Sequence, residues 1–245
     1  MKGFVLLLIL AFIGVIVYFG FLKGSGGLTE EQKQWALATC GVLTESNRGR
    51  HDLLGACEKT EANAAEQKRL LEQWWGDEDR RDLLDSLKWV RDEGHREGFE
   101  KLGARVCSLS AEELRALSEQ TKDDPEARNQ IKIVLQHYRA LGDKGLKGWD
   151  YSRYVALCGW GYVAGYLSEK EAWDRIMPVA RLIQKTFDSW EELGQNYLIG
   201  RAYWSLEETR RSGERYRRAV EQLCSRPDSP WVKLPWNLDL GKGDE

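Results

Sequence analysis

Two arginines stand on helical faces that are otherwise apolar. Arg153 recurs at helical spacing with Leu157, Trp160 and Ala164, and Arg201 with Leu193, Tyr197 and Trp204. A guanidinium taken out of water is costly unless an anion or a set of carbonyls meets its donors. Candidate carboxylate partners are Asp150, Glu93, Glu169, Glu171 and Asp174. Two roles satisfy the requirement. The commoner is an internal ion pair that fixes helix register. The other is one cleft in which Arg153 and Arg201 together bind a carboxylate or phosphate, because the planar fork suits both.

A second constellation is "DEGHREGFE" at 92–100, with Glu93, His95 and Glu97. A histidine beside carboxylates is a metal ligand or an acid–base pair where geometry allows. On one helix, residues two apart point about 200° apart, so Glu93 and His95 cannot share a metal. His51 and His137 lie in unrelated segments, and no HExxH, GxSxG, P-loop or GxGxxG occurs. No metal and no cofactor is expected. Cys40, Cys57, Cys107, Cys158 and Cys224 show no CxxC spacing, which fits buried, reduced thiols. A Cys40–Cys57 bridge stays open for an exported domain.

The elements that must position these groups are helices. Thr29–Gln32, Ser110–Glu113, Ser168–Glu171 and Ser189–Glu192 match the capping box. Asp124-Pro125 reads as an N-cap before a first-turn proline, and Asp77 as a further cap. Apolar residues then step by three and four: Leu83, Leu87, Val90 and Gly94; Ile131, Val134, Leu135, Tyr138 and Leu141; Trp173, Ile176, Met177, Ala180, Ile183 and Phe187. Helices are predicted near 28–45, 62–75, 78–100, 110–121, 125–141, 150–166, 169–186, 190–207 and 212–224. No two-residue alternation calls for a sheet. The segment 225–240 reads as an irregular arm anchored by Trp231 and Trp236. Trp160, Gly161, Gly165, Trp173, Trp190 and Trp204 form a candidate aromatic and glycine packing seam, where missing side chains let helices approach closely.

Composition bounds the partners. The formal net charge is −3, without the basic stripe of a nucleic-acid binder. The arginine-rich stretch 201–218 is interleaved with glutamates, as on a solvated, ion-paired helix face. At the N-terminus, Phe4 to Leu22 carries no charge over 19 residues. At helical rise this spans roughly 28 Å, close to a bilayer's hydrocarbon core. Its length favours an uncleaved anchor over a signal peptide, whose apolar region is shorter. The flanking Lys2 and Lys23 barely decide orientation, with a slight lean to N-in and the domain outside.

Four stretches resemble a known bacterial family. They are "WWGDEDRRDLLDSLKWVRDEGHREGF" (74–99), "WDYSRYVALCGWGYVAGYLSEKEAW" (149–173), "SWEELGQNYLIGRAYW" (189–204) and "SPWVKLPW" (229–236), and the family is DUF1266, a domain of unknown function. The resemblance covers most of 35–240. Positions matching the family pattern include Trp75, Gly94, His95, Asp150, Arg153, Trp160, Gly161, Glu171, Trp190 and Arg201. One position departs from it: the family often has Arg before the Trp-Gly, and here that residue is Gly159. The resemblance implies no activity, and the anchor lies outside it.

These readings define an all-α fold: a single compact multi-helix domain behind one N-terminal transmembrane helix. Residues 1–23 are the anchor, 24–27 a flexible linker, 28–240 the helical domain and 241–245 a tail. The function expected is a membrane-anchored protein-interaction or regulatory module, single-pass in a bacterial inner membrane. The alternative is an enzyme or small-anion-binding protein with a cleft around Arg153, Arg201, His95 and Glu171.

Overall fold

The computed structural model describes residues 27–241. The expected anchor at 4–22, most of the linker and the last four residues lie outside the described residues. Among the described residues there is no strand, and no helix is long and apolar enough to cross a membrane.

Among the described residues twelve α-helices follow one another: α1 (Glu30–Ala38), α2 (Gly41–Ser46), α3 (Glu61–Trp75), α4 (Arg80–Asp92), α5 (Gly94–Val106), α6 (Ala111–Gln120), α7 (Pro125–Leu141), α8 (Lys147–Ala164), α9 (Glu169–Thr186), α10 (Trp190–Trp204), α11 (Leu206–Ser225) and α12 (Pro230–Lys233). Their starts follow local side-chain chemistry. Ser110 and Ser168 each close a full capping box, and Ser189 accepts the Glu192 N–H. Asp124 caps α7, with Pro125 in its first turn. Asp79, not Asp77, caps α4. Asp77 is buried and accepts the Ser86 hydroxyl at 2.6 Å.

Two predicted helices are divided and one boundary moves. The 28–45 segment breaks at Thr39–Cys40. The 78–100 segment breaks at Glu93, where Gly94 takes φ +60°. The boundary predicted between 207 and 212 falls instead at Ser205, whose hydroxyl accepts the Glu208 N–H at 3.1 Å and starts α11. On α7 the core positions are Ile133 and Val134, while Leu135 is half-exposed.

Helix α8 is the hub. It packs against α2, α3, α4, α5, α9 and α10, and is buried almost all round. Such contact needs places where backbones come close. Gly159 supplies one: a Cβ there would stand 2.6 Å from Gly55 N and 2.8 Å from Gly55 Cα. The loop before α3 therefore lies directly on α8, leaving no room at this position for a side chain, the arginine that the family resemblance implies included. Gly161 supplies another, against Leu83. Gly165 does not share that role. It takes φ +84° as the C-cap of α8, with no atom near its missing Cβ.

The arm 225–240 is pinned by indole N–H groups. Trp231 Nε1 donates to Ala38 O at 2.8 Å, and Trp236 Nε1 to Phe187 O at 3.0 Å. Trp190 lies between them, stacked on Trp231 and edge-on to Trp236, and donates to Leu234 O.

Candidate functional site

Helix α5 begins without a cap of its own: the Glu93 side chain makes no capping hydrogen bond. Its first N–H groups are met instead by Asp150, from the first turn of α8. Asp150 Oδ1 accepts the His95 N–H at 3.1 Å, and Oδ2 accepts the Arg96 N–H at 3.0 Å. The positive end of a helix is where a carboxylate is most favourable. Gly94 makes this approach possible, because a Cβ at that residue would stand 2.2 Å from Asp150 Oδ2. Its positive φ also suits glycine.

Two guanidiniums complete the carboxylate's shell. Arg153 Nη2 donates to Asp150 Oδ1 at 2.6 Å, and Arg96 Nη1 to Oδ2 at 3.3 Å. Arg96 also reaches the carbonyls of Val90 and Arg91, closing the last turn of α4. Asp150 is wholly buried. Burial alone would push its carboxyl up; the Arg153 charge and the backbone N–H groups of Arg96 and His95 outweigh burial and hold it below the usual carboxylate range. For Arg153 burial dominates and lowers the guanidinium from its usual value, with Asp150 opposing.

Arg153 does more than pair with Asp150. Its Nη2 lies 2.9 Å from His95 Nδ1. A guanidinium can only donate, so Nδ1 is the acceptor and His95 is the neutral Nε2–H tautomer. The guanidinium carbon sits 4.3 Å from the Trp149 ring centroid and 5.2 Å from that of Trp75. His95 in turn meets Trp89 edge-on at 5.2 Å. Beneath this layer, Trp149 Nε1 and Tyr197 OH are sealed from solvent without hydrogen-bond partners. Burial pushes the Tyr197 phenol well above its usual value.

Of the residues singled out from the sequence, the structure joins Asp150, Arg153 and His95 in direct contact. Arg201 bonds elsewhere, on the α10–α11 corner. It donates to Ser212 Oγ at 2.7 Å and Glu208 O at 3.0 Å, and lies over the Tyr216 ring. Glu171 closes the α9 capping box and pairs with Arg80 at 2.7 Å; the Ser168 N–H and Arg80 hold its carboxyl down to about 2. Glu93 is exposed. Trp173 and Trp190 are buried, whereas Trp160 and Trp204 are half-buried, Trp204 against Trp149 at 5.6 Å. Arg96 is the participant the sequence did not mark. Its only local signal is its place in the first turn of α5.

The same device recurs twice. Asn196 of α10 accepts the Gly148 N–H at 2.8 Å and so caps α8, while Glu126 of α7 accepts the Leu206 N–H and supports the start of α11. Beside Glu126 a cavity of about 630 Å3 is lined by Asp124, Pro125, Leu206, Glu207, Arg210 and Arg211. None of the candidate site residues named from the sequence lines it. Among the described residues no cluster of three or more His, Cys, Asp or Glu is placed to hold a metal ion. The described cysteines form no disulfide; burial raises the Cys40 thiol to about 11 and pushes Cys158 higher still.

The comparisons with known proteins cover this site. Residues 70–236 match the family model described as Protein of unknown function (DUF1266). The chain is similar to Uncharacterized protein YbeR of Escherichia coli (strain K12), 29% identical over 135 residues, which are 55% of this chain and 56% of that protein. It is also similar to Uncharacterized protein YbeU of the same organism, 27% identical over 175 residues, 66% of this chain and 73% of that one. The match to YbeR thus spans little more than half of that protein's length. No solved structure matches the chain. The family match contains α4, α5, α8 and α10, and with them Asp150, its donors and the surrounding indoles, so the chain belongs to the DUF1266 family.

Proposed function

We propose that the chain is a helical interaction module held at a membrane by residues 4–22. The observation that carries the interaction reading is the exposure of Trp74 (52%) and Trp89 (37%) on α3 and α4. Exposed indoles are the side chains that protein interfaces most often use as anchors. Trp89 also borders the hydrogen-bonded cluster of His95, Arg153 and Asp150. The membrane tether rests on the uncharged run at 4–22 and its length.

Two experiments test this reading. The full chain should sediment with membranes after carbonate washing, while a variant lacking residues 1–27 should not; equal extraction of both would remove the tether. A photo-crosslinking residue at position 74 or 89 should give discrete adducts in native membranes. Adducts no stronger than those from an exposed charged position such as Lys101 would remove the interaction surface.

The second reading, a small-anion site or enzymatic cleft, is favoured by one observation, the contact of Arg153 with His95. It narrows to that pair, since Arg201 and Glu171 have partners of their own.

A further inference from the structure

The Asp150 network leaves two donors facing outward. Arg153 bonds through Nε and Nη2, and His95 through its backbone N–H and Nδ1. Arg153 Nη1 and His95 Nε2 thus lack partners among the described residues. The unpartnered polar atoms that are sealed from solvent are Ser46 Oγ, His51 Nδ1, Asp77 Oδ2, Trp149 Nε1 and Tyr197 OH. Arg153 Nη1 and His95 Nε2 are not among these, so both reach solvent. The exposures agree, at 8% of the Arg153 side chain and 23% of the His95 side chain.

Their neighbours define what they would meet. Arg96 and Arg153 face one carboxylate, Asp150, and His95 is the neutral tautomer, so the cluster carries one surplus positive charge. Nearby Arg91 is offset by Asp92 at 2.7 Å. Trp75 flanks the guanidinium and Trp89 flanks the imidazole, and both are partly exposed. Two N–H donors on side chains in direct contact, one surplus charge and two indole walls match a monovalent, two-oxygen anion attached to an apolar group. A phosphate dianion would require more positive charge than remains.

We propose that Arg153 Nη1 and His95 Nε2 form a binding site for a carboxylate carried on an apolar group, with Trp75 and Trp89 covering that group. The site deepens the interaction reading, on which it rests for the source of the carboxylate: an acidic residue or C-terminus of a partner. A free small carboxylate carries the same chemistry.

The test uses the full chain in detergent micelles with 15N-labelled Trp and His. Phenylacetate is titrated at constant ionic strength, with phenylacetamide and inorganic phosphate in parallel. The His95 imidazole and the Trp75 and Trp89 indole signals should shift saturably with phenylacetate and far less with the other two. His95→Ala keeps the backbone N–H that caps Asp150 and should weaken binding about tenfold, as expected for losing one hydrogen bond to a charged group. Arg153→Lys, which keeps the charge for Asp150 but loses the fork, should weaken it similarly. An equal response to phenylacetamide, a stronger one to phosphate, no response, or indifference to His95→Ala would each overturn the site. Crosslinked adducts at position 89 that phenylacetate displaces identify a partner as the source; carboxylate binding without any adducts identifies a free carboxylate and removes the interaction reading alone. Adducts without carboxylate binding remove this site and leave that reading standing.

Discussion

Asp150→Asn isolates the charge on which the α5–α8 junction depends. The side chain keeps its shape, and one oxygen still accepts a hydrogen bond. The amide, however, cannot satisfy both the Arg96 N–H and the two guanidinium donors. Arg153, 6% exposed, is left without its counter-charge. Breaking a buried pair on one side costs about 3–5 kcal/mol. For a domain of this size, each kcal/mol moves the melting temperature by about 2–4 °C, so a fall of roughly 6–20 °C is expected. Arg153→Met in the same chain should recover part of the loss, because the orphaned charge is gone. The pH dependence follows from the depressed Asp150 carboxyl. Its contribution is fully present above the unfolded carboxyl value of about 3.9, and is lost as pH falls through the lower folded value. Circular-dichroism melts of parent, single and double variants at pH 7 and pH 3 provide the assay. An Asp150→Asn protein melting within about 2 °C of the parent at pH 7 would refute the claim that this carboxylate holds the junction.

Three further outcomes are expected. Gly94→Ala forces a Cβ toward Asp150 at a residue with φ +60°, and should cost more than about 1 kcal/mol in urea unfolding, where an ordinary surface Gly→Ala change would be near neutral or stabilising. Asp77→Asn should stabilise the protein at pH 8 but not at pH 4: burial raises the Asp77 carboxyl, so the parent loses stability as pH rises from about 3.9 through the folded value, and urea midpoints at the two pH values would show the difference disappear in the variant. Gly159→Ala should push Gly55 and its loop off α8, read as faster amide exchange in residues 49–58 with α9 and α10 unchanged; unchanged exchange in the loop would contradict the close approach.

The parts of the fold that were legible in the sequence are those with local causes. The Ser110, Ser168 and Ser189 starts and the stripe from Trp173 to Phe187 depend on residues three or four apart, and the structure has them. What was missed depends on distant partners or competing local signals. The apolar step from Leu83 to Gly94 continues through the break at Glu93, because the cap that permits the break comes from Asp150, 55 residues beyond His95. Asn196 and Glu126 likewise support helices that begin far away in sequence. Ser205–Glu208 did carry the capping signature, but the apolar pattern of α10 runs up to Trp204 and hides the turn. Arg153 and Arg201 are both buried, and each meets acceptors of its own. Their separation into two sites was not legible, because Arg201 is met by a carbonyl and two hydroxyls rather than by a nominated carboxylate. The exposure of Leu135 in place of Ile133 reflects which side of α7 meets α5, and tertiary packing alone decides that.

The most direct test of the account is the tautomer of His95. Long-range 1H–15N correlation spectra of the full chain resolve protonated from unprotonated ring nitrogens. Donation from Arg153 to Nδ1 predicts an unprotonated Nδ1 and a protonated Nε2 at pH 8, with the pattern lost in Arg153→Met. A protonated Nδ1 at that pH would mean that Arg153 does not bond to His95, and both the arrangement around Asp150 and the outward-facing Nε2 donor would fall with it.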